Sequence, residues 1–191
     1  MKENKWDDHY ARRARDENWL ARSVYKLEEI DKKFRLIQKG NQLLDLGCYP
    51  GSWSQYGLKK VGPEGRVTGI DLSRPDKLSF LNFGFIQADV FALDEESLAR
   101  KIGLMDVVMS DLAPQTTGIK LTDVSRSMAL AGRAEKIALA LLKKKENFYA
   151  RYLKGKISRL LKLKSLIISS RSGSLDPRLH ANGAERSISW G

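Results

Sequence analysis

Apolar residues recur along the chain with two different periods. Between Asp16 and Ile37, Leu20, Val24, Leu27, Ile30 and Phe34 return at three- and four-residue steps while Arg22, Lys26 and Glu29 take another face. That spacing predicts a helix, closed by Gly40. Short apolar runs then predict strands at "NQLLDLG" (41–47), "RVTGIDLS" (66–73), "FGFIQADV" (83–90) and "LMDVVMSDLAP" (104–114). Between them "SWSQYGLKKV" (52–61) and "DEESLARKIG" (94–103) predict helices, the second with acidic residues in its first turn and Gly103 past its end. A long helix is predicted from Thr122 to Lys143, with Val124, Met128, Ala131, Ala134, Ala138 and Leu141 on its apolar face. Beyond it "ENFYARY" (146–152) and "KSLIISS" (164–170) predict strands flanking a short basic helix in "LKGKISRLLKLK". The remainder, from Arg171, has no sustained period and reads as loop or disorder. Strands alternating with helices of about ten residues imply an α/β fold: a mostly parallel, doubly wound sheet with helices on both faces.

Composition narrows the class. At 191 residues, with 42% hydrophobic and 30% charged residues, the chain can bury a full core and reads as a globular protein. No apolar run approaches the length of a bilayer span, and "MKENKWDDHYARRARDENW" contains no apolar signal region, so the expected location is cytoplasmic. The lone Cys48 excludes an internal disulfide, and Cys48, His9 and His180 give no metal-ligand spacing, so no metal is expected. Charge is unevenly spread. Residues 143–191 hold twelve Lys and Arg against three Asp and Glu, which is most of the net +11. A basic end attracts polyanions, nucleic acid among them, although a solvated basic tail has the same composition.

Candidate chemistry sits at the predicted strand ends. In an open parallel sheet, ligands bind beyond the carboxyl ends of the strands. "DLGCYPG" lies at such an end, and glycine there allows a sharp turn and close approach of a ligand to the backbone. Gly47 and Gly51 stand four apart with Pro50 between them, which is neither the dinucleotide fingerprint nor a P-loop. The second strand ends in Asp71, placed to accept hydrogen bonds from both hydroxyls of a ribose; taken alone it could equally cap the next segment. Asp89 and Asp111 end the third and fourth strands, so three carboxylates share one rim beside one glycine loop. Asp45, inside the first strand, must be hydrogen-bonded if buried, and pinning its own glycine loop is the expected role.

These stretches resemble the FtsJ/RrmJ-type ribosomal RNA 2′-O-methyltransferases. The matching segments are "RSVYKLEEID" (22–31), "LLDLGCYPGSWSQYG" (43–57), "GRVTGIDLS" (65–73), "FIQADV" (85–90) and "VVMSDLAPQTTG" (107–118), in that order. The resemblance spans about residues 5–148 and implies a Rossmann-like class I methyltransferase fold with a seven-stranded sheet. It implies S-adenosylmethionine as cofactor, bound by Gly47, Gly51, Trp53, Asp71, Asp89 and Asp111. It also implies a uridine of large-subunit ribosomal RNA as substrate, presented within the assembled particle. The family is similar in using a Lys–Asp–Lys–Glu set around the target ribose; Lys26 matches the first lysine and Asp111 the aspartate. A lysine acting as general base would have to fall from a pKa of about 10.4 toward about 7–8.

The resemblance departs at the end of the chain. "ENFYARYLKG" places Arg151 where the family has its second lysine, and arginine steadies an oxyanion but does not act as a base. Glu185 is the one glutamate after Glu146, in a segment without strand character, and it does not align with the family's final glutamate. The chain therefore divides on sequence into a cofactor-binding domain with an N-terminal RNA-facing helix (1–148) and a basic divergent segment (149–191). A reading-frame shift near residue 149 and a divergent RNA-binding tail both fit that change. A catalytically impaired RNA-binding protein that keeps the cofactor pocket is the competing function. A nicotinamide oxidoreductase is disfavoured by the glycine spacing.

Overall fold

A computed structural model describes residues 5–114, 116–154 and 157–164, with side chains from residue 9 to residue 143. Two compact units, Met1–Leu93 and Asp94–Gly191, are described in turn.

The first unit runs α1 (Lys5–Asp16), α2 (Val24–Phe34), β1 (Gln42–Leu46), α3 (Ser52–Val61), β2 (Arg66–Asp71) and β3 (Phe83–Gln87). The helix expected over 16–37 is shorter, Val24–Phe34, and residues 17–23 are instead a turn that joins it to α1. Asn18 takes a left-handed backbone (φ 58°), and Trp19 N–H closes α1 by donating to Ala14 O at 2.7 Å. Asparagine tolerates that conformation, so the local geometry ends α1 where periodicity alone does not. The second helix stops at Arg35 (φ 49°), five residues before the expected Gly40, and its N–H donates to Asp31 O at 2.7 Å. The expected apolar positions Val24, Leu27 and Ile30 are buried.

Strands β1, β2 and β3 pair in parallel, with Leu46 opposite Ile70 and Asp71 opposite Gln87. All three carboxyl ends therefore reach the same rim. Leu43, Leu44, Leu46, Val67 and Ile70 are buried, as a sheet covered on its faces requires. Helix α3 packs on β1 and β2, and α2 packs on α3.

The second unit runs α4 (Glu95–Ile102), β4 (Met105–Ser110), α5 (Lys120–Leu141), β5 (Leu142–Lys154) and β6 (Ile157–Lys164). The expected cap of α4 is present: Asp94 accepts from Ser97 N–H at 2.8 Å, with Glu95 and Glu96 in the first turn and Gly103 beyond the end. Arg133 of α5 and Glu95 of α4 form an ion pair, joined by Lys136. The buried face of α5 is Ser127, Ala134, Ile137, Ala138 and Leu141. Met128, expected on that face, is 47% exposed, so the burial stripe lies rotated from the one the sequence suggests.

β5 follows α5 without a break and pairs in parallel with β4, while β6 pairs antiparallel with β5. The expected basic helix over 153–164 is thus a strand across most of its length. Its backbone hydrogen bonds go to β5, a non-local partner that a reading of local period leaves out. Residue 148 falls inside β5. Six strands occur among the described residues, five of them in the order expected. The strand expected over 164–170 and the segment from Arg171 on lie outside the described residues, apart from Lys164 itself in β6.

Candidate active site

The loop after β1 folds back onto the end of β2. Gly47 N–H and Cys48 N–H both donate to Ile70 O, at 2.9 and 3.3 Å, and Tyr49 N–H donates to Asp71 Oδ2 at 3.0 Å. Gly47 (φ 79°) and Gly51 (φ 113°) bracket the loop in backbone conformations that a side chain disfavours. Gly51 also has no room for one: a Cβ there would lie 2.8 Å from Leu78 Cδ1 and 2.9 Å from Leu20 Cδ1. It caps α3, whose first N–H groups therefore open at the rim.

Asp71 is half-buried and accepts one backbone N–H on each oxygen, from Tyr49 on Oδ2 and from Ser73 at 3.0 Å on Oδ1. Two such bonds use about half of a carboxylate's acceptor capacity. The remainder suits a pair of hydroxyls, and the glycine loop beside it leaves the backbone accessible. These residues fit a nucleoside ligand. Asp89 lies two residues past β3 on the same rim, exposed, and its carboxylate caps a single turn at Val90–Ala92 by accepting from Phe91 N–H at 2.9 Å.

Asp45 is fully buried, and its Oδ2 accepts from Ser54 Oγ at 2.7 Å. The expected role, pinning the glycine loop, is not the one this bond performs. It holds the first turn of α3, whereas the loop's own N–H groups go to Ile70 and Asp71. Neither period nor motif in the sequence singles out Ser54 for this. Trp53 is 4% exposed, and its indole N–H donates to Ser23 O at 2.9 Å. Its polar atom is committed inside the protein and its ring has almost no exposed surface, which is the environment of a core residue.

Lys26 stands exposed in the first turn of α2. Ser23, one turn earlier, has its Oγ 2.8 Å from Ser52 Oγ, so the start of α2 is tied to the start of α3 at the glycine loop. In the second unit Asp111 directly follows β4. Ser110 is in register with Ala150, so Asp111 and Arg151 are the next positions along two parallel strands. Glu185 lies outside the described residues.

Electrostatics exclude one kind of chemistry. Burial pushes the Cys48 thiol well above its ordinary range, and the carboxylates of Asp45 and Asp71 add to the shift. Cys48 therefore stays protonated near neutral pH and is no nucleophile. Among the described residues no group of His, Cys, Asp and Glu could hold a metal ion, and no helix is long and apolar enough to cross a membrane.

Comparison with known proteins decides the family. The model of the FtsJ-like methyltransferases matches residues 19–169. The chain belongs to that family. The match continues past residue 148, where the resemblance on sequence was expected to stop, and takes in β5 and β6. A relative from Desulfosudis oleivorans, named ribosomal RNA large subunit methyltransferase E, is 46% identical over 154 residues, covering 81% of this chain and 74% of its own. A Bdellovibrio bacteriovorus relative of the same name is 51% identical over 144 residues, covering 74% and 73%. A Plasmodium falciparum crystal structure described as a ribosomal RNA methyltransferase superposes with a TM-score of 0.64 at 26% identity, covering 72% of this chain and 80% of that one. This FtsJ-like chain has the α/β methyltransferase fold, with the mostly parallel sheet expected from its strand–helix alternation. A Lactococcus lactis protein described as a hemolysin, at 17% identity and a TM-score of 0.52, shares the fold alone.

Proposed function

We propose that this chain transfers a methyl group from S-adenosylmethionine to a ribose 2′-hydroxyl of large-subunit ribosomal RNA. The observation that carries the reading is the 46–51% identity to proteins named ribosomal RNA large subunit methyltransferase E, over nearly three quarters of their length. The rim geometry supports a nucleoside cofactor: Asp71 has acceptor capacity for a ribose diol beside a loop whose two glycines let a ligand reach the backbone.

In this reading Asp71 grips the ribose of the donor, Gly47 and Gly51 let its main chain contacts form, and Asp89 contributes from the same rim. When bound, S-adenosylmethionine supplies a methyl on a cationic sulfur, so the reaction is an in-line displacement in which that sulfur leaves neutral. The protein's contribution is alignment and charge. Holding the attacking oxygen in line removes much of the barrier. Lys26 lies beside the target ribose and stabilises negative charge on its 2′-oxygen as the proton leaves. Asp111 is the position that matches the family's aspartate. RNA is the fitting substrate class because DNA has no 2′-hydroxyl.

Arg151 favours a second reading, an RNA-binding protein that keeps the pocket without turnover, because arginine in place of lysine removes any base at that position. A labelled-methyl assay separates the two. Large ribosomal subunits from a strain lacking this activity are incubated with the protein and labelled donor, then digested to nucleosides. The expected product is a single 2′-O-methyluridine. Label on a base refutes the reaction assigned here, and donor binding without label in RNA leaves the second reading standing.

A further inference from the structure

One side chain joins three parts of the first unit that the proposed reaction needs to hold together. Gln55, in the first turn of α3, donates from Nε2 to Asn18 O at 2.9 Å and accepts Leu20 N–H on Oε1 at 3.0 Å. Its amide thus pairs with the connection between α1 and α2 on both sides of Trp19, much as a neighbouring strand would. The same connection rests on the glycine loop, since Leu20 and Leu78 are the two side chains that fill the space in front of Gly51. Three residues on from Leu20, Ser23 meets Ser52 and Trp53, and α2 begins.

Other contacts hold the outer side of this connection. Glu17 accepts from Arg13, Trp19 and Tyr25 side chains at 2.7, 3.0 and 3.1 Å, and the Trp19 ring lies against Lys59 and Tyr56 of α3. Gln55 differs from these in bonding to main chain on both sides of its amide. It is half-buried, and it takes up a donor and an acceptor of one irregular stretch that no helix or strand satisfies.

We infer that Gln55 is a positioning residue, a clasp that keeps α2, and with it Lys26, at a fixed distance from the glycine loop. The inference rests on the function proposed above. Its physical basis is that the backbone bonds of the connection run to the last turn of α1 from the N–H groups of residues 17–19 and to the first turn of α2 from the carbonyls of residues 21–23, while Leu20 N–H in its middle is held by Gln55. A displacement of the reacting groups by about 1 Å costs on the order of 100-fold in rate. Asp71 and the loop itself are bonded independently of Gln55, so donor binding does not depend on the clasp.

The test uses the full chain carrying Gln55→Ala, with Gln55→Glu as a second variant that keeps the acceptor for Leu20 N–H and nearly the same volume. Amide hydrogen exchange at Leu20 is read first, without donor, alongside donor affinity by calorimetry, thermal midpoint, and kcat and KM on ribosomal subunits. In Gln55→Ala, Leu20 exchange speeds up and kcat falls by roughly 10- to 100-fold. Donor Kd and KM for the subunit stay within about threefold of wild type. Gln55→Glu shows a smaller deficit in kcat. A merely structural role would move donor affinity and thermal midpoint together with kcat, and that result overturns the inference. So does unchanged exchange at Leu20, or kcat within about twofold of wild type in both variants. A wild-type protein that leaves the subunits unmethylated counts against the proposed function, while exchange at Leu20 and donor affinity still decide whether the clasp exists.

Discussion

A carboxylate that already accepts two backbone N–H groups, as Asp71 does, is oriented before any ligand arrives. Replacing it with asparagine keeps the shape but puts a donor where an acceptor is needed. Asp71→Asn should therefore weaken donor binding by ~10- to 100-fold, the size of a lost charge-assisted hydrogen bond, with little change in kcat at saturation; calorimetry and steady-state kinetics read the two effects separately. Lys26 acts at the other end of the reaction. Lys26→Ala should leave donor affinity as it is and lower turnover by at least ~100-fold, and near-normal turnover would remove it from the mechanism. Both positions stand out in the sequence, because a strand ending in Asp and a motif around Lys26 are local signals. Ser54, Gln55 and Ser23 do not stand out. Each is a common polar residue whose role comes from the partner it meets 9, 35 or 29 residues away.

At the scale of elements, α2 is held to α3 at both ends. The inner end is the Ser23, Trp53 and Gln55 set already described. At the outer end Asp31, 3% exposed, accepts from Ile37 N–H at 2.9 Å and Tyr56 O–H at 2.8 Å, and pairs with Lys60 Nζ at 2.9 Å. Burial and the Asp31 hydrogen bond both push the Tyr56 phenol up, so it stays a donor at any ordinary pH. Removing the carboxylate strands three partners at once. Asp31→Ala should cost about 3 kcal/mol of unfolding free energy in urea titration. Tyr56→Phe should cost about 1 kcal/mol, and a loss that small for Asp31→Ala would show that packing, not this network, holds the helices. Helix α3, its neighbours and the four strands through β4 follow from period and end signals. The break between α1 and α2 does not, because the apolar spacing starts at Leu20, inside the connection, and carries on into α2 with no mark at Val24 where the helix begins.

Over the whole molecule, acid should destabilise both units. Hydrogen bonds hold the pKa values of four carboxylates, two exposed and two half-buried, below their ordinary range: Glu17 from Arg13, Asp94 from Ser97, Glu95 from a backbone N–H and Arg133, and Asp123 from Thr117. A carboxylate depressed in the folded state contributes stability that is fully present above its ordinary pKa, 4.5 for glutamate and 3.8 for aspartate, and is lost as pH falls through the folded value. The urea midpoint should thus fall as pH drops from about 5 toward about 3, and Glu17→Gln should make that decline shallower. A flat midpoint across this range would show that these bonds are screened by solvent. The sequence by itself determined the alternation of strand and helix, the glycine loop, the acidic strand ends and the family, because each is written in short-range spacing that needs no partner. Only the tertiary structure decided the turn between α1 and α2, the rotated face of α5, the strand in place of a basic helix at β6, and the Ser54, Asp31 and Gln55 contacts. Those depend on which distant backbone or side chain completes a hydrogen bond or covers a face, and chain folding alone supplies that neighbour.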